Sequence, residues 1–254
     1  MSNKKIQINN LVIGEGMPKI CVPVVGSTCE EIRMQAKEAR AAEPDLVEWR
    51  ADWYADVMDP GKAETMLEEL TEIFDGIPIL FTFRSAAEGG MREISPKEYH
   101  ELNGRIAREK TADLMDVEVF MKGLNAENLI EQLKEEGRIV VASSHHFHET
   151  PRRERMMELY RKMAALQADI VKLAVMPSNP QDVLSLLDVT CMAGEELAQP
   201  VISMAMGGLG TISRVCGETF GSSITFASAG AASAPGQLDI KQVRTIQNIL
   251  HLAH

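Results

Sequence analysis

The sequence predicts an α/β fold of one kind, a single (β/α)8 barrel capped at its N-terminal mouth by a short β-hairpin. Short apolar runs rich in Val and Ile alternate with longer amphipathic segments, the alternation recurs at a spacing of roughly thirty residues, and eight such units fill the 254-residue chain without an internal linker. Strands that apolar must be buried on both faces, so they belong to a parallel sheet covered by helices. Eight equal units in about 250 residues favour a closed (TIM) barrel over an open, doubly wound sheet.

Residues 1–18 stand outside the repeat; with Gly14, Gly16 and Pro18 they read as a hairpin or cap at the N-terminal mouth. The barrel strands are read in KICVPVV (19–25), LVEWR (46–50), PILFTFR (78–84), DLMDVEV (113–119), RIVVASS (138–144), DIVKLAV (169–175), PVISMAM (200–206) and SSITFAS (222–228). Helical patterns lie between them, such as 28–42 and 95–110. Ser95-Pro96-Lys97-Glu98 offers an N-cap, a proline at the first helical position and an acid in the first turn. Thr150-Pro151 predicts the same start for the fifth helix. The amphipathic stretch 242–254 fits either the last barrel helix or an interface.

Hydrophobic residues make up 45% of the chain and charged ones 25%, which is ordinary globular usage. A formal charge of −11 argues against binding a nucleic-acid backbone, while leaving room for a local cationic pocket that takes a small anion. Cys21, Cys29, Cys191 and Cys216 form no CxxC pair, so neither a disulfide framework nor a thiolate metal site is indicated. The start MSNKKIQINNLVIGEG has no long apolar core, and no run of eighteen apolar residues occurs, so the expectation is a cytoplasmic protein with no membrane segment.

In a parallel barrel the active site is built at the C-terminal ends of the strands. Those ends carry Glu48, Arg50 and Asp52; Arg84 with Glu88 close behind; Asp116 and Glu118; the cluster Ser143-Ser144-His145-His146-Phe147-His148; Lys172; Arg214; and Ser233-Ala234-Pro235-Gly236-Gln237. Lys172 lies inside DIVKLAV, where positions 170, 172 and 174 share a face, and the small Ala174 beside it points to the barrel interior. A buried lysine able to lose its proton attacks a ketone or aldehyde to form an imine. Against that stands a structural lysine paired with Glu48 or Glu118.

His145, at the mouth of the neighbouring strand, is placed for acid and base work beside such an imine. Solvated loop histidines, or a metal held by His145 and His148 with Asp116 or Glu118, are the competing readings. Arg50, Arg84 and Arg214 would converge on the mouth as a pocket for an anion, or serve singly as salt-bridge partners. The glycines of 207–211 would cradle a phosphate or serve the turn alone.

Glu48-Trp49-Arg50 with Asp52, Phe81-Thr82-Phe83-Arg84, Ser144-His145-x-Phe147-His148-x-Thr150-Pro151, Lys172-Leu173-Ala174-Val175-Met176-Pro177, Ile212-Ser213-Arg214 and Ser233-Ala234-Pro235-Gly236-Gln237, in that order, resemble type I 3-dehydroquinate dehydratases. The resemblance runs from about residue 19 to residue 245. It implies a hydro-lyase of the shikimate pathway that converts 3-dehydroquinate to 3-dehydroshikimate through a Schiff base, with no metal or organic cofactor.

By that resemblance Lys172 is the imine-forming residue, His145 the base and acid, and Glu88 the carboxylate that orients it. Arg214 and Gln237 contact the substrate carboxylate with Ser233 beside them, and Glu48, Arg50 and Arg84 hold the ring hydroxyls and tune Lys172. Strand alternation lets only one of His145 and His146 face inward, and the resemblance selects His145. A homodimer is also implied. The alternatives are an aldolase or transaldolase with a lysine imine, and a non-catalytic anion-binding barrel.

Overall fold

The structure is a computed structural model that describes residues 5–230 and 236–253. It opens on an antiparallel hairpin, β1 (Ile6–Ile8) and β2 (Leu11–Ile13). Eight parallel strands follow in the order of the chain: β3 (Lys19–Val24), β4 (Leu46–Arg50), β5 (Ile79–Thr82), β6 (Leu114–Glu118), β7 (Ile139–His146), β8 (Ile170–Val175), β9 (Val201–Ala205) and β10 (Ile224–Phe226). β10 pairs with β3, and a bridge of Val201 with Ser222 and a 2.9 Å bond from Lys19 N to Ser223 O draw the ring together.

The helices that cover this ring are α1 (Cys29–Ala41), α2 (Lys62–Phe74), α3 (Pro96–Glu109), α4 (Ala126–Glu135), α5 (Arg153–Ala165), α6 (Pro180–Glu196), the short α7 (Gly217–Phe220) and α8 (Ile240–His251). Ser95 caps α3 as its sequence predicts: its Oγ accepts from Glu98 N, and the Glu98 carboxylate accepts from Ser95 N in return. The expected start of α5 is corrected. Its N-cap is Arg152, with no side-chain cap, because Thr150-Pro151 belong to a loop tied down one residue earlier by Met176 N donating to Glu149 O at 3.0 Å. α8 is the last barrel helix, burying Ile240 and Val243 while leaving Ile249 exposed.

Two apolar bodies hold the barrel. One lies between helices and sheet; the other fills the interior and joins Cys21, Leu46, Leu80, Leu114, Val141 and Ile170 to Ile6, Ile8 and Ile13 of the hairpin. The hairpin therefore plugs the mouth where the strands begin, as expected. The opposite mouth is left for chemistry. Among the described residues no helix is long and apolar enough to cross a membrane.

Candidate active site

Strand register explains which side chains meet. Neighbouring strands of an eight-stranded barrel are staggered, by about one residue per strand at the usual shear, so side chains from alternate strands form layers of four. Lys172 is in ladder row with Ser143 and, one strand further, with Glu118. Two strands of stagger set it level with Asp116 instead, and the same count around the ring reaches Glu48 and Phe226. The contacts agree: Lys172 Nζ lies 3.6 Å from Glu48 Oε1, 3.6 Å from Asp116 Oδ2 and 4.3 Å from the centre of the Phe226 ring. Beneath this layer the same strands supply Leu46, Leu114, Ile170 and Ile224, all buried and apolar.

Lys172 is thus an interior residue, 3% exposed, held between carboxylates rather than hydrogen-bonded to them. Its partners are Glu48 and Asp116; Glu118, the other expected partner, is taken by Arg84 and Ser85. Each flanking carboxylate is aimed by a hydroxyl of the next strand, Thr82 Oγ1 donating to Glu48 at 2.9 Å and Ser143 Oγ to Asp116 at 2.7 Å. Burial would raise the Asp116 carboxyl, but the charges of Arg84 and Lys172 outweigh it and hold the group below the usual range.

His145 pairs across the ladder with Ala174, so it faces inward beside Lys172, about one pleat nearer the mouth. Its Nδ1 and backbone N both lie 2.9 Å from Glu88 Oε2. Burial, reinforced by Arg84 and Lys172, holds the imidazole well below its ordinary range, and burial pushes the Glu88 carboxyl up to about 8. The Glu88 carboxyl holds the ring through Nδ1, and Nε2 is left to act on a bound molecule. His146 points elsewhere, its Nε2 3.4 Å from Ser144 Oγ, and His148 is exposed. Among the described residues no three His, Cys, Asp or Glu side chains are grouped to hold a metal.

Glu88 reaches His145 because its loop comes close to the end of β7. Gly89 has φ +84°, and a Cβ there would sit 2.3 Å from the Phe147 ring. The arginines are less alike than their shared position at strand ends suggested. Arg50 is clamped by Asp52 through bonds of 2.8 and 2.9 Å. Arg84, 3% exposed, spreads its charge over Asp116 at 2.8 Å, Glu118 at 2.9 Å and Glu88 at 3.5 Å.

Arg214 is buried, donates to Phe226 O at 3.3 Å, and has its guanidinium pushed down by burial to about 10, which leaves it charged at neutral pH. These residues, with Gln237, Phe147 and Met204, line one cavity that brings together Glu48, Arg50, Arg84, His145, Lys172 and Arg214. Ser233 lies outside the described residues.

Gly207 and Gly210 serve the turn: φ is +70° at the first, and a Cβ on the second would meet Ala205 O at 2.2 Å. Gly236 touches that turn, where a Cβ would meet Gly207 O at 2.3 Å, and so seats Gln237 at the cavity. Asp116, named at its strand end but not as a partner of Lys172, joins the site once the stagger is counted from Lys172.

Fold and cavity together define a class, a (β/α)8 barrel whose interior presents a lysine between two carboxylates and a carboxylate-bound histidine to one arginine-lined pocket. The family model for type I 3-dehydroquinase matches residues 20–254, and the chain belongs to that family. A 3-dehydroquinate dehydratase of Listeria welshimeri is 45% identical over 97% of this chain and 98% of its own length. Among solved structures, 3-dehydroquinate dehydratase from Geobacillus kaustophilus is similar at a TM-score of 0.96 with 41% identity, covering 99% of this chain and 98% of that one. The type I enzyme from Clostridium difficile, solved with covalently modified comenic acid, is similar at 0.94 with 40% identity, covering 99% and 100%. Family membership sets aside the aldolase and the binding-barrel alternatives.

Proposed function

We propose that the 3-dehydroquinate dehydratase activity of this chain runs through a Schiff base on Lys172. Its amine attacks the C3 ketone, and loss of water gives an iminium. His145 removes a proton from C2, and the iminium takes up the electron pair, which makes that carbon far more acidic than a neutral ketone would. The electrons then return to expel the C1 hydroxyl, protonated by the same imidazole, and hydrolysis of the imine frees 3-dehydroshikimate and the lysine.

The observation that carries this reading is the position of Lys172 Nζ, 3.6 Å from two carboxylates and hydrogen-bonded to neither. The two carboxylates hold Nζ in the cavity without binding it, so little hydrogen bonding is lost when the amine turns to a carbonyl. Glu88 orients His145 by contact with Nδ1, which turns Nε2 to the substrate. Arg214 and Gln237, with Ser233, are assigned to the substrate carboxylate; Glu48, Arg50 and Arg84 are assigned to the ring hydroxyls and the charge balance around Lys172.

The chain is read as one barrel unit, residues 1–254, with 1–18 as its cap, acting in the cytoplasm and as a homodimer. The free thiols of Cys21, Cys29, Cys191 and Cys216 suit a reducing compartment, and the exposed Ile249 and Leu252 of the C-terminal segment suit an apolar contact.

The test is dehydration followed by the ultraviolet absorbance of the conjugated enone product. Lys172→Met and His145→Ala are each expected to lose a roughly thousandfold or larger share of kcat while the protein stays folded. A Lys172→Met enzyme with near-normal turnover would end the Schiff-base reading.

A further inference from the structure

β5 leaves the sheet early. Its last pairing with β6 joins Phe81 to Met115, and the strand ends at Thr82 before the chain turns outward to carry Arg84 and Glu88. Continued by two residues, the register would set Phe83 opposite Val117. In a parallel ladder that partner would donate its N–H to Asp116 O and accept from Glu118 N through its carbonyl. Neither bond is made by β5.

A side chain from α3 supplies both. The Tyr99 hydroxyl donates to Asp116 O at 3.2 Å and accepts from Glu118 N at 3.0 Å. One O–H with its lone pairs can do the work of a strand residue here, since it offers a donor and an acceptor from a single point. Tyr99 is fully buried, and the displaced Phe83 packs edge-on against its ring, centroids 6.4 Å apart and planes at 83°. The two backbone groups that the hydroxyl ties belong to the residues whose carboxylates matter most. Asp116 flanks Lys172 and Arg84, and Glu118 binds Arg84 and both the N–H and hydroxyl of Ser85.

From this geometry, and resting on the Lys172 chemistry given above, we propose that Tyr99 is a positioning residue for catalysis, a hydroxyl that replaces missing strand pairing and so sets the depth of Asp116 and Glu118 beneath the substrate. It acts through β6 and touches no reacting atom. Without it, two buried backbone groups lose their partner and the segment from Asp116 to Glu118 is free to shift, carrying the carboxylate that faces Nζ with it.

Tyr99→Phe keeps the ring and removes only the hydroxyl. The expected result is a fall in kcat of about tenfold or more with KM within twofold, and an equal slowing of borohydride-trapped adduct formation with 3-dehydroquinate. A lowered melting temperature with unchanged kcat, KM and adduct rate would overturn the proposal and leave Tyr99 a packing residue. Should that variant be too unstable to purify, Phe83→Leu keeps the hydroxyl but removes the edge contact that aims it. A two- to threefold loss of kcat at constant KM is then expected, and unchanged kcat counts against the proposal. Failure of the unmodified protein to form any adduct would remove the lysine reading and this one together, and is recognised before any substitution is made.

Discussion

The behaviour of single residues here is set by burial and by which charges share it. Glu88 and His145 show the consequence most clearly. Glu88 is raised from an ordinary 4.5 to about 8, so the folded state binds its proton more tightly than the unfolded chain does. Its contribution is fully present below about pH 4.5 and is lost as pH rises through about 8.

His145 is held well below 6.5, so its contribution is present above 6.5 and is lost as pH falls. The two slopes oppose one another between 4.5 and 6.5, and above 6.5 Glu88 acts alone. Stability should therefore decline from pH 6.5 to 8 by at most about 1.4 kcal/mol per unit, and Glu88→Gln should flatten that decline in denaturant unfolding. A slope that Glu88→Gln leaves untouched would mean that another group titrates. The depressed imidazole also places the acid limb of kcat/KM below pH 6.5, a point read directly from a pH–rate profile.

At the scale of elements, the strands were legible because burial on both faces leaves an apolar run in the sequence, and all eight appear with ends within two residues. Capping was legible only where the signal was local. Ser95 and Glu98 satisfy one another within a single turn, whereas Thr150-Pro151 were drawn into a loop by Met176, a residue far along the chain. The partner of Lys172 was half legible: Glu48 was expected and found, but choosing Asp116 over Glu118 needs the barrel's stagger, which no single strand displays. The burial of Arg84 among three carboxylates was legible only for Glu88, four residues on; Asp116 and Glu118 come to it from the neighbouring strand β6. The loop between β5 and α3 offers a test at this scale. Gly89→Ala strains a left-handed backbone and drives a methyl into the Phe147 ring. We expect a loss of about 1–3 kcal/mol in stability together with a several-fold fall in kcat as Glu88 draws away from Nδ1. Unchanged kinetics would show that the Glu88 contact does not depend on this turn.

Across the whole molecule, stability and chemistry are divided between the two ends of the barrel. The start of the strands is closed by an apolar layer and the hairpin, with Ile13 wholly buried in it, and the far end holds nearly all of the buried charge. That division was readable in outline, because residues 1–18 stood apart from the repeat and the polar residues gathered at strand ends. It predicts that damage to one end spares the other. Ile13→Ala should cost about 2–4 kcal/mol of unfolding free energy and leave KM and kcat unchanged at a temperature where the variant is folded. Altered KM in that variant would show that the hairpin communicates with the cavity.

The central claim is that Lys172 carries the reaction covalently, and the most direct measurement is reductive trapping. The protein is incubated with 3-dehydroquinate, reduced with borohydride, digested and mapped by mass spectrometry. The account predicts one adduct, on the peptide holding Lys172, absent from Lys172→Met and slowed in His145→Ala. An active, folded enzyme that yields no adduct, or yields it on another lysine, would contradict it.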